Sequence, residues 1–338
     1  MKALMYVGPE KVEIQDVPVP QLQPNQVLLK IAATGICGSD VHGFLGHSER
    51  RKPGLILGHE AVASIAETHP SVTRWKPGQR VAINPLVSCL KCPACLAGKQ
   101  NLCANWWLIG MDRVHGTFAE FTAVPESQIF SISDSLTDNE AVFVEPLANV
   151  VHFFRTSMTE IPETLAIFGA GPIGSLALAL AKLRGIPKVC VIDRIDARLD
   201  VSRQLKADCV INSAKVDAVK AVREFTKGGA EFVIDAVGVD ATRRAGVNAC
   251  ARGGRLLFIG MAENDSGLPW IEMIRNEQSI FTTFCYAARD FQTALSLLES
   301  RKLDLTPWTE TRSLDDGQAG FMKMTHHPGG TLKLIFKP

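Results

Sequence analysis

Three rhythms of apolar and polar positions follow one another along the chain. From Met1 to about Pro146 the apolar stretches are short or alternating. Val27–Ile31 (VLLKI), Arg80–Ile83 (RVAI) and Phe118–Val124 (FAEFTAV) predict half-buried or buried strands. Pro53-Gly54, Pro77-Gly78 and Asn84-Pro85 punctuate them as turns. Between Leu147 and Phe284 the rhythm changes. The apolar runs Leu165–Phe168, Val189–Ile192, Cys209–Ile211, Phe232–Ile234 and Leu256–Ile259 alternate with helical patterns. Ile173–Arg184 sets Leu176, Leu180 and Leu183 at helical spacing, and Gly185 supplies the stop. Strands alternating with helices predict βαβ units, a parallel sheet and an α/β fold. From Cys285 onward, a helix over Phe291–Glu299 (apolar at Phe291, Leu295 and Leu298) precedes a closing strand, Leu332–Phe336. That strand is expected to return to the first domain. The organisation expected is residues 1–146 with 285–338 as one discontinuous domain and 147–284 as the other. Thr137-x-x-Glu140 has the form of a capping box, which predicts the start of a helix linking the first two stretches.

Composition narrows the function classes. At 338 residues and 46% hydrophobic, the chain can bury full cores, about two of them on domain-size grounds. The 36 Lys and Arg balance 35 Asp and Glu, a net charge of +1. No excess positive field exists to attract nucleic acid or an anionic membrane. One uncharged stretch, Thr164–Ala181, has the length of a membrane span. It contains Gly169, Gly171, Pro172, Gly174 and Ser175, and reads as strand, turn and helix. The N-terminal MKALMYVGPEKVEIQ has no apolar leader core, so a cytoplasmic location is expected. In that setting nine cysteines point to thiols, metal or catalysis and away from a disulfide framework.

Gly169-Ala-Gly171-Pro172-Ile173-Gly174 follows an apolar strand and opens a helix, the context a G-x-G-x-x-G dinucleotide loop requires. Gly169 permits the turn, Gly171 the approach of a pyrophosphate, and Gly174 close helix–strand packing. The helix N-terminus offers free N–H groups to the anion. The next strand ends at Asp193, where a carboxylate can bond the adenosine ribose hydroxyls and repel a 2′-phosphate. NAD is therefore expected over NADP. Arg194, next to it, blurs that inference, and Arg198 is a candidate to lie along the ribose.

Cys89, Cys92, Cys95 and Cys103 form a strong metal pattern. Four thiolates on one short loop can close a tetrahedron around zinc, with no position open for chemistry. Pro93 and Gly98 suit its bends. A second, more scattered set is Cys37 with Ser39 and His42 (Gly35-Ile-Cys-Gly-Ser-Asp-Val-His), Gly58-His59-Glu60, and Glu145 in Val144-Glu145-Pro146. Cys37, His59 and a carboxylate make a three-ligand zinc set with one position left for substrate or water.

Taken in that order, these motifs resemble the zinc-dependent medium-chain dehydrogenases of the alcohol dehydrogenase superfamily, over essentially the whole chain. The resemblance implies a GroES-like, β-rich catalytic domain beside a Rossmann domain. It implies NAD and two zincs per chain, one catalytic at Cys37, His59, Glu60 and Glu145, and one structural at the quartet. Ser39 would take the alcohol proton and His42 would stand at the far end of the relay, beyond the cofactor ribose. Glu145 stands where alcohol dehydrogenases proper often carry a third-ligand Cys. A Glu there resembles the sorbitol and polyol branch and the threonine dehydrogenase branch.

The implied activity is hydride transfer to NAD from a secondary alcohol of a polyol or sugar derivative. Sorbitol dehydrogenases carry a polyol-contacting Arg in a Phe-Arg-Tyr stretch. Here that stretch reads Phe284-Cys285-Tyr286, so that donor is missing; the change weakens the likeness and speaks against sorbitol itself, while Glu145 keeps the expectation with the polyol class. Two rivals remain: an L-threonine 3-dehydrogenase-like enzyme, and a non-catalytic protein on the same fold. The expected partner is a small alcohol or polyol, with no nucleic acid and no membrane, in a homodimer or homotetramer. Trp106 and Trp107, together with His152, read as packing residues. Cys190, Cys209, Cys250 and Cys285 read as buried thiols, and the remaining histidines as surface or structural.

Overall fold

The computed structural model describes every residue, Met1–Pro338. The chain divides into two units, Met1–Ala148 with Tyr286–Pro338, and Asn149–Cys285.

The first unit is organised by one strand, Gln26–Gly35. Its run of Val27, Leu28, Leu29, Ile31 and Ala33 is buried, so both of its edges must find partners. One edge pairs antiparallel with Glu60–Thr68 along nearly its whole length, from Val27↔Thr68 to Gly35↔Glu60. The other edge is shared. Phe121–Pro125 takes residues 26–30, and Lys333–Lys337 takes the far end at Ile335↔Gly35. Register shifts between Leu28 and Leu29 and between Ile31 and Ala33 interrupt the ladder, as bulges that bend a strand do. Arg80–Ile83, Ile129–Ser131 and Thr309–Ser313 extend this sheet, and Lys2–Gly8, Lys11–Asp16 and Leu55–Ile56 form a smaller one.

An aromatic cluster seals the core beside the strand ends. Phe118 meets Phe321 and Phe336 edge-on, with centroids 5.7 and 5.5 Å apart, and Phe44 stacks on Phe321 at 4.8 Å. The Phe118 ring passes so close to Gly58 that a Cβ there would lie 2.7 Å from it. Gly58 also has φ +92°, which disfavours any other residue. This contact fixes the backbone immediately before His59.

The second unit is a six-stranded, wholly parallel sheet. Its spatial order is Cys209–Asn212, Lys188–Asp193, Thr164–Phe168, Ala230–Asp235, Cys250–Phe258 and Ser279–Thr282. That is the doubly wound order in which the first strand lies inside the sheet and the chain reverses direction beside it. The helix Pro172–Leu183 starts with Pro at its first turn, where the missing N–H costs nothing, and ends before Gly185 at φ +78°.

Three expectations need correction. Thr137 does cap a helix, with its hydroxyl accepting from the Glu140 N–H at 3.3 Å and Glu140 accepting from the Thr137 N–H at 2.7 Å. That helix stops at Ala141, however, and a separate one, Val144–Ser157, follows. A capping box secures only the first turn, and Val142 and Phe143 are drawn into the core at 1% exposure. The strand expected from Phe118 begins at Phe121 because Phe118 and Ala119 are held in the aromatic core. Cys209 and Cys285 are half-buried, while Cys190 and Cys250 are buried. No helix is long and apolar enough to cross a membrane.

Phe118→Ala should remove the central ring of the aromatic cluster and cost about 3–5 kcal/mol of unfolding free energy. Urea denaturation of both proteins measures it. A loss below about 1 kcal/mol would show that the cluster refills without this ring.

Candidate active site

The end of the central strand and the start of the next helix place the first donor. Gly35 has no Cβ to collide with Lys333, Val142 or Glu60, each of which would lie within 2.9 Å of one. Cys37 follows as the N-cap of the helix Gly38–Phe44, its N–H donated to Asp40 Oδ2 at 3.1 Å. His59 and Glu60 arrive from the Gly58 turn and the strand it opens. The donor atoms of Cys37, His59 and Glu60 all lie within 4.8 Å of one another. Glu145 is not in this group. Its Oε1 accepts from the Tyr286 hydroxyl at 2.8 Å.

The electrostatics of the three donors suit a cation. Burial pulls His59 towards neutrality, but Asp40 and Cys37 outweigh it and hold the imidazole well above its ordinary pKa. A proton is thus attracted where a metal would supply charge. His59 Nδ1 lies 3.4 Å from Asp40 Oδ1 without an aligned hydrogen bond, and is one of the buried polar atoms left without a partner. A carboxylate at one ring nitrogen orients a histidine to ligate through the other. Burial also pushes Glu145 up to about 7, with His59 opposing and Glu60 reinforcing the shift. Cys, His and carboxylate are a donor set zinc accepts, and three of them leave its fourth position open.

Glu60 has a partner the sequence reading missed. Lys333 Nζ lies 2.5 Å from Glu60 Oε2 and 3.3 Å from the Ile36 carbonyl, and both side chains are 1% exposed. Burial lowers the Lys333 pKa, yet Glu60 and Cys37 raise it further, so it stays charged. The one available signal was a lysine between Leu332 and Leu334 in an otherwise apolar strand.

Ser39 and His42 lie on the Gly38–Phe44 helix three residues apart, which puts them on neighbouring faces of one turn. Both are half-buried. Burial, then His47 and Arg51, lower the His42 pKa, which keeps its ring neutral and able to accept a proton.

The quartet forms its own lobe. Cys92 and Cys95 sulfurs are 3.5 Å apart and Cys89 and Cys95 3.9 Å. Zinc–thiolate bonds of about 2.3 Å in a tetrahedron place sulfurs about 3.8 Å apart, so the spacing fits. Backbone N–H groups of Cys89 and Asn105 reach Cys103 Sγ at 3.4 Å. Those of Lys91 and Cys92 lower the Cys89 thiol to about 6. Pro93 opens the short helix Pro93–Leu96, and Gly98 has φ +71°. Beside the lobe, the half-buried Trp106 lies under the Arg50 guanidinium at 4.4 Å.

In the second unit the glycine loop closes tightly on itself. Gly169 has φ +100°, and a Cβ on Gly174 would lie 1.8 Å from the Gly169 carbonyl oxygen. At Gly171, the N-cap of the helix containing Pro172 and Ile173, a Cβ would enter open space, the room a pyrophosphate needs. Asp193 accepts from the Ala170 N–H at 2.8 Å and from the Ile195 N–H at 2.9 Å. A carboxylate has further lone pairs for ribose hydroxyls. Arg198 is 4.0 Å from Asp193, and its buried Nε has no partner.

Comparison with known proteins agrees with both halves. The alcohol dehydrogenase GroES-like domain matches residues 23–134, and the zinc-binding dehydrogenase domain matches residues 172–300. D-xylulose reductase A of Aspergillus oryzae is 32% identical over 93% of this chain and 90% of its own. Sorbitol dehydrogenase of Bacillus subtilis is 31% identical over 100% of this chain and 97% of its own. A solved structure from Sinorhizobium meliloti 1021, bound to NADP, superposes with a TM-score of 0.91 at 28% identity, covering 100% of this chain and 99% of that one.

Lys333→Met should strand the buried Glu60 charge and cost about 3–5 kcal/mol of stability. Adding Glu60→Gln should recover most of that loss, because the uncompensated charge disappears. Denaturant titration of the two single variants and the double variant tests this. Losses that simply add would show that the two side chains do not act as a pair.

Proposed function

This chain belongs to the zinc-dependent medium-chain dehydrogenases, and from that premise we propose that it oxidises a secondary hydroxyl of a polyol or sugar derivative with NAD. The observation that carries the reading is the group of half-buried Cys37 with buried His59 and Glu60, whose three donors leave one coordination position for substrate. The likeness to a xylulose reductase and a sorbitol dehydrogenase over at least nine-tenths of the chain supports the polyol class. Glu60 and Glu145 add acceptors suited to neighbouring hydroxyls.

Cys37, His59 and Glu60 would hold the catalytic zinc, with Glu145 held back by Tyr286 as a reserve ligand or as a partner for bound water. Cys89, Cys92, Cys95 and Cys103 would hold the structural one. When bound, zinc supplies Lewis acidity to the substrate oxygen and the nicotinamide supplies the hydride acceptor. The chain's own part is to hold and move the proton. Ser39 Oγ takes the proton of the substrate hydroxyl, and the neutral His42 is the acceptor further along the same helix. Asp40 Oδ1, 3.4 Å from His59 Nδ1, places negative charge on that side of the ring. In the second unit Gly169, Gly171 and Gly174 shape the pyrophosphate loop. Asp193 binds the ribose, and its negative charge disfavours the 2′-phosphate of NADP.

The direct test is a substrate panel followed by NADH absorbance, run with NAD and NADP in parallel. Pentitols, hexitols, inositols and sugar acids should show far higher kcat/KM than simple aliphatic alcohols or L-threonine, and NAD should exceed NADP. A preference for threonine or for short alcohols would defeat the substrate assignment. A preference for NADP would show that Arg194 outweighs Asp193.

Metal content separates the two sites. Elemental analysis should find about two zinc ions per chain. Cys92→Ala should mainly lower stability or yield, because the lobe loses its organising ion. Cys37→Ala should keep the fold and lose at least about 100-fold in kcat. The reverse pattern would mean the two sites have been exchanged.

A further inference from the structure

Arg51 is a buried cation that neither metal group uses. It is 5% exposed, and it reaches the site by crossing the Gly38–Phe44 helix at Gly43. A Cβ at Gly43 would lie 2.4 Å from Arg51 Cδ, so this path exists only because residue 43 is glycine. One end of the guanidinium, Nη2, donates to Ser39 Oγ at 3.0 Å. Its Nε lies 3.7 Å from Asp40 Oδ1 without an aligned hydrogen bond.

We propose that Arg51 is a positioning residue that sets the direction of proton transfer through Ser39, an inference that rests on the dehydrogenase reading. Arginine has donors and no acceptor, so Ser39 Oγ must be the acceptor in this bond. A hydroxyl has two lone pairs and one proton. With one lone pair committed to Arg51, a single lone pair and the O–H remain. Those two positions are the two ends of a relay. When Ser39 accepts the substrate proton on its free lone pair, its own proton must leave in the other direction. During reduction the same two positions exchange roles. The permanent charge of Arg51 also stabilises electron density on Oγ while the protons pass. Lysine could keep a charge near Asp40, but its single head on a shorter stem lacks the planar fork that reaches Ser39.

The experiment combines Arg51→Lys with Ser39→Ala, singly and together. Arg51→Lys should keep the wild-type zinc content and Tm, lower kcat roughly 10- to 100-fold, and leave KM within about threefold. In the Ser39→Ala background it should lower kcat no further, because the residue through which it acts is gone. Native kcat in Arg51→Lys overturns the proposal, as does an equal loss in both backgrounds. So does a raised KM at unchanged kcat, or a loss of zinc. An independent readout is the side-chain ¹⁵N spectrum of the full-length protein. The Arg51 guanidinium signals, assigned by their loss in Arg51→Lys, should shift or average in Ser39→Ala, and an unchanged spectrum overturns the contact. Lack of polyol oxidation by the wild type would instead defeat the polyol reading. The kinetic cycle would then be run on whichever secondary alcohol is turned over, while the spectrum decides the Arg51–Ser39 bond in either case.

Discussion

Asp40 and Glu60 are 0% and 1% exposed, and neither carboxylate can stay ionised there without a cation at hand. Each has one. Lys333 bonds Glu60, and Arg51 lies against Asp40. The two pairs flank Cys37 and His59 from opposite ends of the sequence. Asp40 also faces His59, with Oδ1 3.4 Å from the ring Nδ1. Burial works to lower the His59 pKa, and Asp40 with Cys37 raise it well above its ordinary value. The outer pairs therefore do more than stabilise. They set two buried cations beside the Cys37, His59 and Glu60 donors.

This constraint also accounts for the path of the chain. Lys333 stands 273 residues from Glu60, on the strand that pairs with the end of Gln26–Gly35 at Gly35. The first unit is incomplete until the C-terminal segment returns and delivers that lysine. Gly35 is glycine there because a Cβ would lie within 2.9 Å of Lys333, Val142 and Glu60. Likewise the aromatic cluster fixes Gly58, and Gly58 fixes the entry of His59. Cys37, His59 and Glu60 are thus held by packing that has its own reasons to be rigid.

The quartet lobe and the glycine loop follow a different logic. Each is built from residues within a short stretch, and each places its groups by local backbone geometry. In the lobe, N–H groups aim at sulfur and the thiols already approach tetrahedral spacing. In the loop, Gly169 and Gly174 nearly touch while Gly171 faces open space.

For the same reason these local sites were legible in the sequence. Spacing alone identified the quartet, the dinucleotide loop, Asp193 at a strand end and the alternation that makes the parallel sheet. The capping box at Thr137 was also legible, but not the length of its helix, since packing of Val142 and Phe143 decided where it stopped. What the sequence left open was which distant side chains meet. Lys333 and Tyr286 lie far along the chain from Glu60 and Glu145, and no spacing connects them. Arg51 is close to Ser39 in sequence, yet its route depends on the missing Cβ of Gly43. Local patterns record turns, caps and ligand spacing because short-range backbone geometry determines them. The pairing of buried charges depends on which strands become neighbours, and only the folded chain decides that.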